Sequence, residues 1–418
     1  MSSLLKNSDP CLTTSKKRFA SPMACGEASL FTLEGRGEDM GKSIFSFSPY
    51  KYYSNEQFMK DCCLIPYMFH ECLGYRSVIV ATKKEEPYPY PERLKGLEFH
   101  SFPDTGGDLS EWIRFCCDYI SAHYEEMDVL FCFGAYPTHV PMVELFKRLR
   151  PDGKILLKLD ANMDWIEKIS LTDGEEKKLL SLADVITVES KKLKQHLSRK
   201  WPYVIEYVPN ASVDFTPREE IHYKEKENII LTVGRIGSRQ KATEILLEAF
   251  AEAAYAIPGW KLRLVGGIED SFHAFIDQYF IRFPELKSRI VFTGKIVDKS
   301  ALELEYKKAK VFVLSSILEG GTPNVWVESA RNGCYTVCSN IDAVNEATNW
   351  GRSGTNFDWY DFVELSQILK KICNDEQALE RSCYAIQHYR TMFFDYRKIV
   401  HKLHHLIELT KGTGTYSI

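Results

Sequence analysis

The sequence predicts an α/β protein built from two Rossmann-like, doubly wound, parallel-sheet domains. From residue 43 onward, short apolar runs alternate with longer amphipathic stretches. The alternation pauses once, in a polar and charged stretch near residues 209–227, and then restarts. Strands that alternate with helices form βαβ units, in which helices cover both faces of a parallel sheet. A chain of 418 residues also exceeds the roughly 100–200 residues of a single domain.

The composition is typical of a globular protein and excludes several classes. Hydrophobic residues make up 44% of the chain and charged residues 26%, and the net charge of −4 gives no reason to expect a nucleic acid partner. No apolar run reaches the roughly 18 residues of a membrane span, and residues 1–25 lack the apolar core of a signal peptide. The twelve cysteines include no Cys-x-x-Cys pair. We therefore expect a cytoplasmic, thiol-rich protein without a metal site.

The elements of the N-terminal half follow an extension, residues 1–42, that is predicted to be disordered because it is rich in Ser, Gly, Lys and Glu without a sustained period. The N-terminal Rossmann-like domain is predicted over residues 43–214. Its strands are expected at residues 44–48, 77–81, 129–133, 155–159, 185–188 and 204–208, with helices at residues 57–73 and 109–123.

The elements of the C-terminal half form a second Rossmann-like domain, predicted over residues 215–390 and preceded by a polar linker with a Pro-Asn turn. Its strands are expected at residues 229–233, 262–265, 290–292, 311–314 and 335–338, with helices at residues 244–255 and 302–310. A final segment, residues 391–418, carries an amphipathic helix that we expect to pack back on the N-terminal domain. Two such domains face each other across a cleft, and ligands bind there beyond the carboxyl ends of the strands.

The loop after the first strand of the C-terminal half has the residues of an anion site. Gly234 allows a tight backbone turn, Arg235 and Lys241 supply positive charge, and the following helix adds its N-terminal dipole. A solvated basic loop explains this segment equally well, since neither a Walker nor a GxGxxG pattern is present.

A second candidate anion site lies in residues 315–333. Pro323 is typical of a helix start, so the backbone amides that follow it are expected to point outward. The predicted anion cradle consists of Gly320, Gly321, Thr322, Asn324 and Val325. Glu319 and Glu328 lie on either side, where they can bind hydroxyl groups flanking a phosphate. For Glu319, an ordinary surface charge at a strand end is the alternative.

In combination, these segments resemble glycosyltransferase family 4, a group of retaining enzymes with the GT-B fold. The family carries a Gly-Arg…Lys loop, a Leu-Val-Gly-Gly turn, and a Glu-x7-Glu element that runs into a helix ending in Gly. The corresponding pieces here, in order, are Gly234-Arg235 with Lys241, Leu264-Val-Gly-Gly267, Phe292-Thr-Gly294, and Glu319 with Glu328 and Gly333. The two carboxylates stand one residue further apart than in the family pattern, and Ala242 occupies a position where Gly is common.

The resemblance implies that the C-terminal half binds a nucleoside-diphosphate sugar, which is a substrate, so that no cofactor is expected. It implies that Arg235 and Lys241 bind the diphosphate, that Glu328 binds the ribose, and that Glu319 meets the transferred sugar. Further donor contacts are implied at Gly234, the anion cradle, Gly266, Gly267 and Ile296. Arg, Lys and helix amides stabilise the charge of a leaving diphosphate. The chain has no Asp-x-Asp motif, so no metal is expected.

The N-terminal half is expected to bind the acceptor. His139 and Asp160 follow predicted strands and are candidates for a catalytic polar group. Asn162 and Asp164 are alternatives to Asp160, and a structural role is the alternative for each candidate. The loop at residues 47–55 lacks the glycines that the family usually has after its first strand.

The expected function is metal-independent transfer of a sugar from a nucleoside-diphosphate sugar to a carbohydrate or lipid-linked acceptor, with retention implied by the resemblance. The alternatives are a nucleotide-sugar epimerase or hydrolase of the same fold and a catalytically inactive sugar-nucleotide-binding protein. A basic helix at residues 191–200 is a candidate for peripheral contact with a membrane that carries the acceptor, and a solvated face is its alternative.

Overall fold

In the computed structural model, the described residues are 41–83, 91–103, 106–172, 174–215 and 220–410. Nearly all of the extension predicted over residues 1–42, and the end of the predicted C-terminal segment, lie outside the described residues. The described residues belong to one compact unit, residues 41–418. The division into domains at residues 214 and 390 therefore stays a prediction.

The first half of the chain forms a seven-stranded parallel sheet with the strand order β3-β2-β1-β4-β5-β6-β7. The strands are β1 (Ser43–Tyr52), β2 (Arg76–Lys83), β3 (Leu97–Pro103), β4 (Val129–Phe133), β5 (Lys154–Lys158), β6 (Val185–Val188) and β7 (Ile205–Tyr207). The helices are α1 (Asp61–Leu73), α2 (Leu109–His123), α3 (His139–Leu149), α4 (Met163–Ile166), α5 (Glu175–Leu182) and α6 (Lys191–Lys200).

The second half forms a six-stranded parallel sheet with the order β10-β9-β8-β11-β12-β13. The strands are β8 (Glu227–Val233), β9 (Lys261–Val265), β10 (Ile290–Gly294), β11 (Ala309–Leu314), β12 (Tyr335–Ser339) and β13 (Gly354–Phe357). The helices are α7 (Thr243–Ala253), α8 (His273–Arg282), α9 (Lys299–Lys308), α10 (Asn324–Arg331), α11 (Val344–Ala347), α12 (Phe362–Ile372), α13 (Glu376–Phe393) and α14 (Tyr396–Leu409). A parallel sheet with covering helices was predicted for each half of the chain, and this prediction is confirmed.

Strand order places the ligand-binding edge of each sheet. In the first sheet, β2 and β3 follow β1 toward one edge, and β4 then lies on the other side of β1. In the second sheet, β9 and β10 follow β8 toward one edge, and β11 lies on the other side of β8. At such a switch point the loops after the two strands diverge and leave a crevice at their carboxyl ends. The loops after β1, β4, β8 and β11 are therefore where a ligand site is expected.

The strands are buried because their side chains are apolar on both faces. All five residues of β4 and all six of β11 are buried, as both faces of a parallel sheet are covered by helices. One apolar cluster runs from α1 and α14 into the second half, where the buried Trp326 of α10 packs on Phe394 with ring centroids 4.8 Å apart. The two halves thus share part of their core.

The last helix lies against the first half of the chain. The phenol of Tyr75, just before β2, bonds with His404 Nδ1 of α14 over 2.9 Å, and Lys154 Nζ donates to the carbonyl of Thr410 over 2.7 Å. The apolar stripe of α14 is buried, with Val400 0% exposed and Leu403 1% exposed. This helix therefore ties the end of the described chain to the first sheet.

A buried arginine anchors the segment that joins the two sheets. Arg390 of α13 is 0% exposed and donates to both carboxylate oxygens of Asp214, over 2.9 and 2.8 Å. Arg331 of α10 reaches the same carboxylate at 2.9 Å. The connection is thus held on the second half by charge-assisted hydrogen bonds.

Three elements differ from the sequence prediction. The strands β3 and β13 were not expected. Both are edge strands in which exposed or half-exposed residues, such as Thr355 and Asn356 of β13, leave no continuous apolar run. The helix expected at residues 57–73 is divided into a 3-10 turn, Asn55–Met59, and α1. The break falls at Lys60, whose backbone is extended at φ −115° and ψ 169°. It brings Lys60 and Asp61 to the cleft described below.

Candidate active site

A cleft of about 470 Å³ lies between the carboxyl ends of the two sheets. Its lining from the first half is Tyr50, Gln57, Lys60, Asp61, Cys62, Phe133, Asp160, Asn162 and Asn210. Its lining from the second half is Gln240, Lys241, Glu319, Gly320, Gly321, Pro323, Asn324 and Val325. The loops after β1, β8 and β11 contribute to this lining, as does Phe133, the last residue of β4, so the cleft is the candidate active site.

The loop after β8 turns tightly because two backbones meet there. The amide of Gly234 donates to the carbonyl of Val265 at the end of β9 over 2.9 Å. Gly266 follows with φ +148°, and a Cβ atom added to it would lie 1.7 Å from the Gly234 carbonyl oxygen. Only glycine fits this contact. Gly266 therefore shapes the loop that carries Arg235 and Lys241, although it does not line the cleft.

Lys241 faces the cleft in an ion pair with Glu319. The carbonyl of Lys241 accepts from Ser315 Oγ over 2.8 Å, which ties the loop after β8 to the loop after β11. The next residue, Ala242, has a left-handed backbone (φ 43°, ψ 50°) and precedes α7. The structure thus brings together two residues that the sequence placed on separate loops.

Arg235 lies outside the lining of the cleft. Its side chain is exposed and donates to Gln240 Oε1 over 2.7 Å, while Gln240 Nε2 donates to the carbonyl of Leu318 over 2.8 Å. Gln240 itself lines the cleft. Arg235 would have to change rotamer to reach a ligand in the cleft. Its contact with the diphosphate therefore stays a prediction.

The N-terminus of α10 points into the cleft. Pro323, with φ −66° and ψ 150°, precedes the helix, and the amide of Trp326 donates to the carbonyl of Pro323 over 2.9 Å. The first amides of a helix have no acceptor within the helix, so those of Asn324 and Val325 are available at the cleft wall. Asn324 Oδ1 is also buried without a hydrogen-bond partner among the described residues. This helix start favours an anion.

The Gly-Gly loop before α10 lies against the opposite half of the chain. Gly321 has φ +138°, and a Cβ atom there would lie 2.3 Å from Glu189 Cβ. A Cβ atom on Gly320 would lie 3.4 Å from the carbonyl carbon of Asp160. Thr322 is fully buried, and its hydroxyl donates to the carbonyl of Asn210 over 3.4 Å. This predicted cradle therefore sits directly beside the first sheet.

Glu328 lies further along α10 and lines a separate pocket of about 140 Å³. Its carboxylate accepts from Lys299 Nζ over 2.7 Å and from the hydroxyl of Tyr306 over 2.9 Å. Burial, followed by the charge of Glu328, raises the pKa of the Tyr306 phenol. Glu328 and Glu319 thus line two different pockets, and α10 contributes residues to both.

Two further predicted donor contacts stand outside the cleft lining. Gly267 is exposed, and its carbonyl accepts from the amide of Ile236 over 2.9 Å. Ile296 is half-buried in the loop between β10 and α9 and packs on the apolar core. Their contact with a donor stays a prediction.

Asp160 lies on the wall of the cleft that faces the Gly-Gly loop. Its backbone is left-handed at φ 46°, and its amide donates to Glu189 Oε1 over 3.0 Å. Burial, and then the charges of Asp61 and Glu189, raise the pKa of this carboxyl to about 7, against the opposing effect of Lys158 and Lys60. Asp160 is therefore poised to exchange a proton near neutral pH.

His139 is the first residue of α3 and is 1% exposed. Its Nε2 lies 3.2 Å from the carbonyl of Phe133, which lines the cleft although His139 does not. Burial lowers the pKa of His139 to about 4, so the ring is neutral at pH 7. The structure gives His139 a contact that a structural role explains, and its catalytic role stays a prediction.

Sequence reasoning missed a buried ionic cluster beneath the cleft. Lys158, 1% exposed, bonds through Nζ to Glu189 Oε1 over 2.7 Å and to Asn210 Oδ1 over 2.8 Å. It also pairs with Asp61 Oδ2 at 3.1 Å. Lys158 ends the apolar run of β5, and a lysine at that position was the signal in the sequence. The phenols of Tyr50 and Tyr136, which bond to each other, were missed as well.

Within the described ranges, no group of three or more His, Cys, Asp or Glu side chains has the arrangement of a metal site. None of the helices in these ranges combines the length and the apolar character needed to cross a membrane.

Comparisons with known proteins agree with this geometry. A family model described as Glycosyl transferases group 1 matches residues 227–375, which include the whole second sheet. No curated protein matches the chain in sequence.

Solved structures resemble the chain over most of its length. Sucrose-phosphate synthase from Thermosynechococcus elongatus has 16% identity and a TM-score of 0.64, covering 88% of this chain and 98% of its own. HepE from Anabaena, solved with UDP-glucose, has 14% identity and a TM-score of 0.66, covering 88% and 100%. A TarM mutant from S. aureus, solved with fondaparinux, alpha-GlcNAc-glycerol and UDP, has 9% identity and a TM-score of 0.65, covering 88% and 100%.

The fold is therefore GT-B, with two Rossmann-like domains that face each other across a cleft. Together with the family match, it supports a GT-B glycosyltransferase. The match lies in the half that carries Lys241, Glu319 and the start of α10. Membership of family 4 and a retaining mechanism stay predictions.

Proposed function

We propose that the chain transfers a sugar from a nucleoside-diphosphate sugar to a carbohydrate or lipid-linked acceptor, with retention of anomeric configuration and without a metal. One observation supports this most: Lys241, Glu319 and the open amides of α10 line one wall of the 470 Å³ cleft between the two sheets. The match to group 1 glycosyltransferases covers the same wall.

The proposed diphosphate position is between Lys241 and the N-terminus of α10. The positive charge of Lys241 is balanced by the Glu319 carboxylate in an ion pair. A diphosphate would take the place of the carboxylate at Lys241, and Glu319 would then turn to the hydroxyl groups of the sugar. As the glycosidic bond breaks, the lysine and the helix amides stabilise the negative charge that gathers on the leaving group.

The proposed nucleoside position is along α10, toward Glu328. Its carboxylate would accept from the ribose hydroxyls, with Lys299 and Tyr306 holding it in place. Ile296 and Gly267 lie on the loops beyond, where the base and the donor backbone would pass. HepE and TarM were solved with UDP-glucose and UDP respectively, so uracil is the first base to test.

The acceptor is proposed to enter from the first half, past Tyr50 and Asp160. We also propose a cytoplasmic location. Peripheral membrane contact through α6 is proposed for the case of a lipid-linked acceptor, since this helix carries Lys191, Lys192, Lys194, Arg199 and Lys200 on ten residues.

The test is sugar transfer by the purified chain with UDP-, GDP- and ADP-glucose and a panel of saccharide acceptors. Lys241→Ala and Glu328→Ala should each abolish transfer while far-UV circular dichroism stays unchanged. Lys287→Ala, an exposed lysine next to the amino end of β10, should transfer as the wild type does. Full activity in either site variant would overturn the site assignment. Donor turnover without acceptor dependence would favour an epimerase or hydrolase, and binding without any turnover would favour an inactive binding protein.

A further inference from the structure

A second cavity, the side pocket, opens at the carboxyl edge of the first sheet. It has a volume of about 370 Å³, and its lining includes Lys51, Phe102, Glu111, Trp112, Phe115 and Asp118. These residues come from the ends of β1 and β3 and from the amino-terminal part of α2. Among the described residues, none lines both the side pocket and the cleft. Because β1 lies between β2 and β4, the side pocket and the cleft stand on opposite flanks of β1.

A bulge in β1 stands between the side pocket and the cleft. Phe47 pairs with Val80 and Tyr52 pairs with Thr82, so β1 takes five steps where β2 takes two. The extra residues of the bulge, residues 48–51, therefore leave the sheet at its carboxyl end, as bulges next to active sites do. This is also the segment in which the sequence lacks the expected glycines.

The bulge holds Lys51 in a backbone conformation that usually belongs to glycine. Its φ is +76°, in the left-handed region, where a residue with a Cβ atom is strained. The ammonium group of Lys51 donates to the carbonyl of Gly107 over 2.6 Å, and both residues line the side pocket. Tyr50, the preceding residue, lines the cleft. Strained residues are concentrated at ligand sites, so the bulge fits a wall shared by two parts of one binding site.

Aromatic rings form the apolar wall of the side pocket. Trp112 and Phe115 of α2 stack with their centroids 5.4 Å and their planes 16° apart, and the ring of Phe102 lies 4.4 Å from that of Phe115. The indole N–H of Trp112 donates to the carbonyl of Ser48 in the bulge over 2.8 Å. Phe102 and Phe115 are only half-buried. The rings therefore offer a fixed apolar face on which a ligand can pack.

Charged side chains surround these rings. Asp108, Glu111 and Asp118 contribute carboxylates, and Lys51 and Arg114 contribute positive charge. Both basic groups have partners within the pocket, since Lys51 bonds to the backbone carbonyl and Arg114 pairs with Glu111 at 3.4 Å. The carboxylates outnumber the basic groups, so the side pocket does not favour a phosphate or another anion. Ionised carboxylates accept hydrogen bonds at several positions, which favours a ligand with donor groups.

Aromatic faces beside carboxylates suit a neutral sugar. A sugar ring has C–H groups on its faces, which pack on aromatic rings, and hydroxyl groups at its edge, which donate to carboxylates. An alkyl chain has no donors, so it would cover the carboxylates without replacing their hydrogen bonds to water. The volume of about 370 Å³ lies within the range of small-molecule sites, about 300–1,000 Å³. The side pocket therefore favours a saccharide unit over a lipid tail or an anion.

We propose that the side pocket binds a saccharide unit of the acceptor, next to the unit whose hydroxyl receives the transferred sugar in the cleft. This proposal rests on the proposed function and narrows it, because the acceptor then contains a neutral oligosaccharide. The two units lie on either side of the bulge, the reacting unit beside Tyr50 and the second unit beside Lys51. The ring of Phe115 packs on the second unit, and Glu111 accepts from its hydroxyl groups.

The first experiment compares transfer to methyl glycosides with transfer to neutral disaccharides of glucose, galactose and N-acetylglucosamine. Glu111→Ala should raise the KM for disaccharides about 10-fold or more, the effect of losing a hydrogen bond to a charged group. It should leave kcat and the KM for methyl glycosides unchanged, because a single unit occupies only the cleft.

The matched control for this variant is Glu144→Ala on α3. The side chain of Glu144 is 47% exposed and that of Glu111 is 49% exposed, and each has a basic partner. Glu144→Ala should leave every kinetic constant unchanged. The same KM for disaccharides in Glu111→Ala and Glu144→Ala would overturn the proposal.

The second experiment removes an aromatic face. Phe115→Leu keeps an apolar side chain but no ring, and it should also raise the KM for disaccharides without changing that for methyl glycosides. Phe275→Leu is its control, because Phe275 is half-buried and stacked on Phe272 at 4.9 Å in the second half of the chain. If Phe115→Leu does not fold, the Glu111→Ala result decides alone, because Glu111 is exposed.

Octyl glucoside tests a lipid tail as the occupant of the side pocket. Its KM should lie above that of the best disaccharide. A lower KM for octyl glucoside than for every disaccharide, raised by Phe115→Leu and unchanged by Glu111→Ala, would show that an apolar group binds there and would overturn the proposal.

Calorimetric titration of the disaccharides in the presence of UDP separates this proposal from the proposed function. If the wild type transfers no sugar but binds a disaccharide more tightly than Glu111→Ala does, the proposed function is wrong and the saccharide site stands. If the wild type transfers sugar but has no lower KM for disaccharides than for methyl glycosides, the proposed function stands and this inference is wrong. If the wild type neither transfers sugar to the disaccharides nor binds them at millimolar concentration, both are wrong.

Discussion

Replacement of Gly266 by alanine tests how the second sheet shapes the donor loop. The new Cβ atom would lie 1.7 Å from the Gly234 carbonyl oxygen, where ordinary contacts begin near 3.4 Å. One of the two backbones must therefore shift by about 1.5 Å, and a backbone, unlike a flexible side chain, cannot turn away. Alanine would also be strained at φ +148°. The shift would displace Gly234 and, with it, the turn that carries Arg235 and Lys241.

The cost of this substitution combines two effects. Holding a non-glycine residue at such a φ costs about 1–3 kcal/mol, and overpacking costs about 1–3 kcal/mol more. We expect Gly266→Ala to lower the free energy of unfolding by about 2–6 kcal/mol in urea titrations. Gly259→Ala, with an ordinary φ and its nearest atom 3.8 Å away, should change it by less than about 0.5 kcal/mol. Equal stability of the two variants would refute the packing argument.

Three further perturbations have definite expected results. Gly321→Ala places a Cβ atom 2.3 Å from Glu189 Cβ and should lower both the melting temperature and the affinity for UDP, and unchanged values for both would count against the close contact of the two halves. The pKa of His139 is about 4 in the folded protein, against an ordinary value of 6.5. As pH falls, the unfolded chain therefore takes up a proton at this residue before the folded chain does. Stability should therefore drop by about 3 kcal/mol between pH 6.5 and 4, and His139→Gln should remove this drop in urea titrations at the two pH values. Arg390→Met leaves Asp214 with less compensation and should cost about 3 kcal/mol, whereas a loss below about 1 kcal/mol would contradict the anchoring role.

The central strands were predictable because burial on both faces leaves an unmistakable apolar run. The strands β4 and β6 have the predicted bounds, residues 129–133 and 185–188. The edge strand β13 was not predictable in the same way, because Asn356 is exposed and Thr355 is half-exposed, so no apolar run marks it. Periodicity thus finds strands through their burial, and an edge strand has too little of it.

The donor wall of the candidate site was more predictable than the acceptor wall. Glycines, a lysine and a helix start follow one another along the chain, so their chemistry is visible in sequence order. The cluster of Asp61, Lys158 and Glu189 is assembled from three distant segments, and only strand order brings them within bonding distance. For the same reason the pairing of Lys241 with Glu319, 78 residues apart, was not expected.

Binding of UDP to the wild type and to Lys241→Ala, measured by isothermal titration calorimetry, tests the central claim that the C-terminal half holds the donor diphosphate. Hydrogen bonds to a charged group contribute about 1.5–3 kcal/mol, so the variant should bind UDP about 10–150-fold more weakly, while Lys287→Ala binds as the wild type does. Equal affinity of Lys241→Ala and the wild type for UDP would contradict the account.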